Sequence, residues 1–250
     1  MIRVEIQGAA RHLILDRPQQ RNAMSFEMID ALAAAIAAAG VEPACRCIVI
    51  KGAGEHFCSG RELVPGRARD LVSTLEYDDA WARIFERLLA LGKPSVAVVR
   101  GYAVAGGFTL AMACDFVLAD TAAKFGAVEM KNGFPAALNT AVLSHLTGAR
   151  RALEMLLLGE LIAAPELHAM GLINRMAGGA DALAAVEAEL VAKLTALDPA
   201  AVRLTKETHR ASANMPLADA LTMGKQLNAL LLASGRIDEA SAAFAARRRK

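Results

Sequence analysis

The order of apolar and polar positions predicts strands and a helix in the first part of the chain. Residues 1–6 alternate in character like a strand, and a second short strand around 13–15 ends at Arg17-Pro18. A helix is then expected to begin after Ser25, a good N-cap residue, and to be closed by Gly40. The spacing that predicts one apolar face of this helix is that of Ile29, Leu32, Ala33 and Ile36.

A similar order follows. The apolar run at 47–50 predicts a buried strand that is stopped by glycines, and residues 68–91 are polar at first and then helical. Pro94 ends that helix, a second buried strand is expected at 96–99, and an apolar helix at 108–114. The face predicted for the helix before Pro94 contains Trp81, Ile84, Phe85, Leu88 and Leu89. Helices between apolar strands indicate βαβ units and therefore an α/β fold with a mostly parallel sheet.

The remainder of the chain, after about residue 140, has an almost wholly helical pattern. The breakers in this part are Pro165, Pro199 and Pro216. A helical end of this kind is typical of a lid or of an oligomerisation module.

Composition narrows the class of protein. A chain of 250 residues can form a sizeable core without disulfides or metals. There is no uninterrupted apolar run of about 20 residues and no signal-peptide core, so a soluble cytoplasmic protein without a membrane partner is expected.

A net charge of +2 is too small to suggest a nucleic-acid partner, and the basic run 247–250 is either a solvated tail or a contact to a phosphate-bearing ligand. The four cysteines lack metal-site spacing and are expected to be reduced, mostly buried thiols, with no metal bound.

Two glycine-containing junctions are the candidates for chemistry. Residues 55–63 follow the strand at 47–50, and residues 101–107 follow the strand at 96–99. Because ligands of open α/β sheets bind beyond the carboxyl ends of the strands, both junctions can face one crevice. One backbone N–H from each would form a two-donor site for a developing oxyanion, although glycines before a helix often serve packing alone.

At these junctions the sequence resembles the crotonase family, also called the enoyl-CoA hydratase/isomerase superfamily. The resemblance runs through most of the chain. It is carried by Leu15-Asp16-Arg17-Pro18, Asn22-Ala23-Met24-Ser25, Phe57-Cys58-Ser59-Gly60, the run from Lys93 to Gly107, Cys114-Asp115, Phe125-Gly126-Ala127-Val128-Glu129, Gly133-Phe134-Pro135, Gly148 and Gly171-Leu172-Ile173.

This resemblance implies a spiral of ββα units over residues 1–190 and a helical trimerisation or lid region over 191–250. It further implies an acyl-CoA substrate, assembly as a homotrimer or hexamer, and no cofactor other than the coenzyme A of the substrate. By the same resemblance the peptide N–H groups of Arg61 and Gly106 polarise the thioester carbonyl. The residues expected to contact the substrate are Gln19, Ala23, Ser59, Gly60, Arg61, Glu62, Leu63, Gly106 and Gly107.

The expected acid-base residue is Glu129, whose apolar neighbours Val128 and Met130 should raise its pKa. Hydratases that resemble this chain commonly carry a second glutamate, and Thr109 stands at that position. A single carboxylate suits an enoyl-CoA isomerase, which moves a proton from one carbon to another. Hydration remains equally open, with Thr109 orienting the water by hydrogen bonding and Glu129 delivering or accepting the proton.

Other reactions and roles stay open at this stage. Decarboxylation or thioester hydrolysis is possible on the same scaffold, because a fold does not determine a reaction. The replacement of a carboxylate by Thr109 also allows a CoA-ester binding protein with little catalysis.

Overall fold

The computed structural model describes residues 1–62, 71–235 and 237. The strands are β1 (Ile2–Gln7), β2 (Ala10–Leu15), β3 (Cys47–Gly52), β4 (Ser95–Val99), β5 (Tyr102–Val104), β6 (Phe116–Asp120), β7 (Lys124–Gly126), β8 (Ile162–Ala163) and β9 (Arg175–Ala177). The helices are α1 (Phe26–Val41), α2 (Leu71–Ala90), α3 (Gly106–Met112), α4 (Ala137–Leu146), α5 (Ala149–Leu158), α6 (Ala164–Ala169), α7 (Ala180–Thr195), α8 (Pro199–Ser212) and α9 (Leu217–Ala233). Short 3₁₀ helices lie at Pro18–Gln20 and Val128–Asn132.

The main sheet has the strand order β1-β2-β3-β4-β6-β9. Only the β1–β2 pair in it is antiparallel among the described strands, and the other neighbours are parallel. The predicted α/β class with a mostly parallel sheet is therefore confirmed. The pattern of two strands followed by a helix recurs as β1-β2-α1, β4-β5-α3 and β6-β7-α4.

Apolar residues cover both faces of this sheet, and this is why its central strands read as continuous apolar runs. In β3, Ile48 and Ile50 belong to the core beneath α1 and α2, whereas Cys47 and Val49 belong to a second core. The second core is closed by residues of α7, namely Leu183, Leu190 and Leu194. The four cysteines form no disulfide and are all buried, as predicted.

A second, three-stranded sheet has the order β5-β7-β8. Strand β5 pairs in parallel with β7, and β7 pairs antiparallel with β8. The apolar pattern did not predict this sheet, because strands of two or three residues are too short to show a period. The prediction of an almost wholly helical end is likewise wrong at β8 and at Arg175–Ala177, which forms an edge strand of the main sheet.

Two helix predictions need correction in detail. Ser25 is the N-cap of α1 as expected, with its side chain accepting a hydrogen bond from the Met28 N–H. However, Gly40 lies inside the last turn of α1, and the helix ends at Val41 with Glu42 as its C-cap. In α2 the predicted face is buried at its centre, but Leu89 is 63% exposed. Leu89 lies about 80° around the helix from Trp81, which places it beyond the buried stripe.

The chain divides into two compact units, Met1–Pro199 and Ala200–Lys250. Strands β1–β9 and helices α1–α7 lie in the first unit. The second unit contains α8 and α9, whose described residues include no buried side chain. The boundary at 190/191 that the resemblance implies falls within α7, and the role of the helical end stays a prediction. None of the helices in the described part of the chain combines the length and apolar character that crossing a bilayer demands.

Candidate functional site

The two glycine-containing junctions lie against each other at the carboxyl ends of β3 and β4. Cys58 and Ala103 form a parallel bridge, in which the Cys58 N–H donates to Tyr102 O (3.0 Å) and the Val104 N–H donates to Cys58 O (3.0 Å). The two junctions are therefore adjacent, as the predicted shared crevice requires, and the crevice itself stays a prediction. Gly60 and Gly106, which lie two and three residues beyond this bridge, are thereby brought together.

Glycine is required at Gly60 because of both conformation and space. Its φ is +97°, and a Cβ there would lie 2.9 Å from the Ala105 Cβ and 3.0 Å from the Gly106 nitrogen. At Gly107 a Cβ would lie 2.2 Å from the Cys58 carbonyl oxygen. These two glycines therefore allow the backbones of the two segments to approach closely.

The backbone N–H groups of Arg61 and Gly106 are neighbours. The chain from Met24 pairs with both residues beside Arg61: the Met24 N–H donates to Gly60 O (2.8 Å), and the Glu62 N–H donates to Met24 O (2.9 Å). The Arg61 N–H therefore faces away from Met24. On that side, a Cβ built on Gly106 would lie 3.5 Å from the Arg61 nitrogen. Neither N–H has a hydrogen-bond acceptor within the described part of the chain.

The residue before Gly106 is held in an unusual backbone conformation. Ala105 has φ 49° and ψ −128°, a region that favours glycine. Its N–H donates to Gly126 O (2.8 Å), which ties the turn to β7. An alanine does not adopt this conformation freely, and the surrounding contacts must hold its strained backbone.

Glu129 lies on the 3₁₀ helix Val128–Asn132 and is only 9% exposed. Its Oε1 accepts a hydrogen bond from Asn139 Nδ2 (2.9 Å), and its Oε2 is buried without a partner among the described residues. Burial raises the pKa of Glu129, although hydrogen bonds to its own backbone and to Asn139 and the charge of Arg61 act in the opposite direction. The prediction of a raised pKa is confirmed, and the Arg61 charge shows that the two side chains are within electrostatic reach.

Helix α2 supplies one wall beside the Arg61 and Gly106 backbones. The Arg61 side chain forms an ion pair with Asp78, and its guanidinium carbon lies 5.1 Å from the centre of the Tyr77 ring. Trp81 is buried on the same helix, and its ring would be 2.8 Å from a Cβ on Gly106. The arginine side chain is thus held on the protein, independently of the role of its backbone N–H.

Glu62, expected at the substrate, is engaged with the protein itself. Its carboxylate pairs with both terminal nitrogens of Arg17 (3.1 and 3.2 Å), and Arg17 also donates to Ala23 O (2.8 Å). A bidentate pair of this kind holds both partners in a defined geometry. The pair links the segment after β2 to the segment that carries the Arg61 N–H.

The remaining residues expected at the substrate occupy the same neighbourhood. Ser59 donates from its backbone to Arg21 O (3.0 Å) and from its hydroxyl to Gln20 O (3.4 Å). Gln19 is exposed on the 3₁₀ helix Pro18–Gln20, and Ala23 is half-buried. Leu63 lies outside the described residues. Contact of these residues with a substrate stays a prediction.

Thr109 is buried in α3 at 1% exposure, and its hydroxyl lies 3.5 Å from Ala105 O, one turn earlier. Its role in orienting water stays a prediction. Among the described residues, no group of three His, Cys, Asp or Glu side chains is arranged to hold a metal ion.

Asn22 was not predicted as a positioning residue. It is fully buried with φ 57°; its Oδ1 accepts from the Arg17 N–H (2.9 Å), and its Nδ2 donates to Ala53 O (3.0 Å) and His56 O (2.7 Å). Its single side chain holds together the segments that follow β2 and β3. An Asn-Ala pair between two elements reads as an ordinary turn, since asparagine tolerates a positive φ, and so the sequence carried no clear sign of this role.

Comparisons with known proteins agree with this architecture. The structure of an enoyl-CoA hydratase subunit from Geobacillus kaustophilus superimposes with a TM-score of 0.89, at 32% identity over 98% of this chain and 95% of that one. An enoyl-CoA hydratase from a Polaromonas species gives a TM-score of 0.91, at 29% identity over 98% and 97% of the two chains. The fold is therefore that of the crotonases, a mixed α/β core with a helical C-terminal region.

The sequence comparisons identify the family. The sequence profile described as enoyl-CoA hydratase/isomerase matches residues 5–250. The 2,3-dehydroadipyl-CoA hydratase of Escherichia coli is 32% identical over 94% of this chain and 92% of its own length. The chain belongs to the enoyl-CoA hydratase/isomerase family.

Proposed function

We propose that this protein is an enzyme that transfers a proton on an enoyl-CoA thioester through an enolate-like transition state. The observation that carries the proposal is the position of Glu129, a buried carboxylate with a raised pKa and an unpartnered Oε2, in the unit that also holds the adjacent N–H groups of Arg61 and Gly106. The coenzyme A belongs to the substrate, and the chemistry requires no redox group or metal.

The two N–H groups supply electrostatic stabilisation. Removing a proton beside a thioester carbonyl, or attack of water on the β-carbon of a conjugated thioester, moves negative charge onto the carbonyl oxygen. Two backbone donors aimed at that oxygen stabilise the charge, and loss of one such donor typically costs about 3–4 kcal/mol of transition-state stabilisation. Because the donors belong to the backbone, the Arg61 side chain can stay paired with Asp78 throughout.

Glu129 supplies the proton transfer. Burial makes its ionised form less stable than that of an exposed carboxylate, so its pKa moves toward the pH at which the enzyme works. A general acid or base is most effective when its pKa lies near that pH. Isomerisation begins with ionised Glu129, and hydration does so when Glu129 accepts the proton of the attacking water.

Different observations support the two reactions. Thr109 in place of a second carboxylate supports double-bond isomerisation, in which one base takes a proton from one carbon and returns it to another. The names of the relatives support hydration, since the Escherichia coli protein and the two solved structures are described as hydratases. In hydration Thr109 would orient the attacking water and Glu129 would exchange the proton.

The test is to incubate the purified protein with crotonyl-CoA and, separately, with a 3-enoyl-CoA, following the conjugated thioester absorbance and the products. Loss of absorbance with formation of 3-hydroxyacyl-CoA establishes hydration. A rise in absorbance from the 3-enoyl substrate establishes isomerisation. Glu129→Gln should lower kcat by about 100- to 10,000-fold while CoA esters still bind, because it removes the proton carrier without changing the shape of the side chain.

Glu160→Gln is the matched control, since Glu160 is an exposed carboxylate whose loss should leave turnover unchanged. The pH dependence gives a second check. Since the pKa of Glu129 is raised, kcat/KM should begin to fall on acidification at a pH above the ordinary glutamate value of 4.5. Binding of CoA esters without any turnover would indicate a binding protein, and absence of both would contradict the proposal.

A further inference from the structure

Asn139 connects the two halves of the proposed site. It lies on α4 and is 1% exposed. Its Nδ2 donates to Glu129 Oε1 at 2.9 Å and to Ala105 O at 3.0 Å. Both hydrogens of the amide are therefore used, one on the carboxylate and one on a backbone carbonyl.

The orientation of the amide follows from its partners. A backbone carbonyl can only accept a hydrogen bond, and an ionised carboxylate can only accept as well. The amide nitrogen must therefore face Ala105 and Glu129, because the flipped side chain would place Oδ1 against two acceptors. Asn139 is thus a donor to both groups.

The carbonyl that Asn139 contacts belongs to the peptide unit that carries one of the two proposed oxyanion donors. Ala105 O and the Gly106 N–H are the two ends of the same peptide unit. A hydrogen bond to the carbonyl holds the plane of that peptide and polarises it, so that its N–H becomes a stronger donor. Ala105 has φ 49°, a backbone that an alanine does not adopt freely, and contacts such as this one must hold it.

The same amide determines which carboxylate oxygen carries the proton. Glu129 Oε1 accepts from Asn139, so a proton at Oε1 would meet a hydrogen of the amide. Oε2 has no partner among the described residues. Protonation at Oε2 preserves the hydrogen bond, and Oε2 is therefore the oxygen that exchanges the proton.

We propose that Asn139 is a positioning residue that aligns the Glu129 carboxylate and the Gly106 peptide with each other through one amide group. The inference rests on the proposed function, because it assigns a task to Asn139 within that reaction. It predicts that loss of Asn139 affects kcat far more than substrate affinity, since the amide contacts the two acting groups and the proposal gives it no substrate contact.

The main test compares Asn139→Leu, which has a similar size and no donor, with Asn174→Leu. Asn174 is also hydrogen-bonded to the backbone, since its Oδ1 accepts from the Val117 N–H at 2.7 Å, but it lies outside the proposed site. Asn139→Leu should lower kcat about 10- to 100-fold with KM changed less than about threefold, the scale expected when an aligned electrostatic group is disturbed. The acidic limb of its pH profile should move to higher pH, because the lost donor favoured ionised Glu129. Asn174→Leu should keep the wild-type kcat and pH profile even if its Tm falls.

Asn139→Asp provides a variant of the same shape in case the leucine disturbs folding. At neutral pH its carboxylate offers no donor and repels ionised Glu129. When protonated it has one O–H, which can restore one of the two hydrogen bonds. Its kcat relative to the wild type should therefore increase as the pH falls, an effect that a purely structural role would not produce.

A measurement without turnover tests the Gly106 half. In Glu129→Gln protein, the absorbance of a bound conjugated enoyl-CoA should shift to longer wavelength as the N–H groups polarise its carbonyl. Adding Asn139→Leu should reduce this shift if Asn139 strengthens the Gly106 donor. An unchanged shift, together with wild-type kcat and pH profile in Asn139→Leu, would overturn the inference while leaving the proposed function intact. By contrast, a wild-type protein that neither binds nor converts CoA esters would contradict the proposed function itself.

Discussion

At the scale of single residues, close backbone approach determines which side chains the site tolerates. Gly60 combines a positive φ with a distance of 3.0 Å from its hypothetical Cβ to the Gly106 nitrogen. Gly171 has a similar φ of +79° but no atom within 4 Å of such a Cβ. Comparing an alanine substitution at Gly60 with one at Gly171 therefore distinguishes the effect of a steric clash from that of backbone strain alone.

We predict that Gly60→Ala lowers kcat/KM by about 100-fold, because it pushes apart the segments that carry the Arg61 and Gly106 N–H groups. The free energy of unfolding should fall by about 2–4 kcal/mol, from strain and clash together. Gly171→Ala should cost about 1 kcal/mol from strain alone and leave the kinetics unchanged. Steady-state kinetics and urea unfolding measure both quantities, and equal kinetic effects of the two variants would disprove the explanation.

At the scale of elements, a buried ionic cluster attaches α7 to the main sheet. Glu187 on α7 is 7% exposed, and its Oε1 lies 3.0 Å from Lys51 Nζ on β3 and 3.2 Å from His12 Nδ1 on β2. Burial is the largest single influence on the pKa of Glu187 and raises it, but the bonds and charges of His12 and Lys51 together lower the pKa below its ordinary value. The cluster lies on the face opposite α1 and α2 and orients α7 over the second core.

Glu187→Gln should lower the free energy of unfolding at neutral pH by about 1–3 kcal/mol, because Lys51 and His12 lose their shared partner. A carboxyl whose folded pKa is depressed stabilises the fold above its unfolded pKa, and this contribution is lost as the pH falls through the folded pKa. The difference from the wild type should therefore shrink below the ordinary glutamate value of 4.5. Urea unfolding at several pH values measures this effect.

Glu189→Gln on the same helix should change stability by less than about 0.5 kcal/mol, since its carboxylate is exposed. A pH-independent loss in Glu187→Gln would contradict the ionic explanation.

At the scale of the whole molecule, the second unit leaves a group of large apolar side chains exposed on α9. Leu217, Leu221 and Leu232 form this group within about 60° around the helix, whereas the exposed Leu230 lies on the opposite side. Large exposed apolar patches are uncommon on monomeric proteins and often mark contacts between chains. We therefore expect this face of α9 to contact another chain, and assembly as a trimer or hexamer stays a prediction.

We predict a molar mass of three or six times the chain mass of 26.3 kDa in size-exclusion chromatography with light scattering. Replacing Leu221 with Glu should shift the mass toward a single chain, because it places a charge in the middle of the apolar group. A wild-type mass of one chain at micromolar concentration would show that α9 does not mediate assembly.

The sequence by itself determined the class of fold and predicted where the proposed chemistry takes place. Apolar runs at 47–50 and 96–99 predicted buried parallel strands because both faces of the sheet are covered, and local capping by Ser25 marked the start of α1. The ordered motifs identified the family and singled out Glu129, Arg61 and Gly106. These features are local or follow a short period, so they can be recognised in the sequence without knowledge of the fold.

Only the tertiary structure decided how the groups are held. Asn139 is 34 residues from Ala105, and Lys51 is 136 residues from Glu187, so no pattern along the chain connects either pair. The short strands β5, β7 and β8 likewise form because neighbouring backbone lies within hydrogen-bonding distance, not because their few residues have a strand period. A hydrogen bond depends on distances and angles in space, and those distances exist only after the distant parts of the chain have packed together.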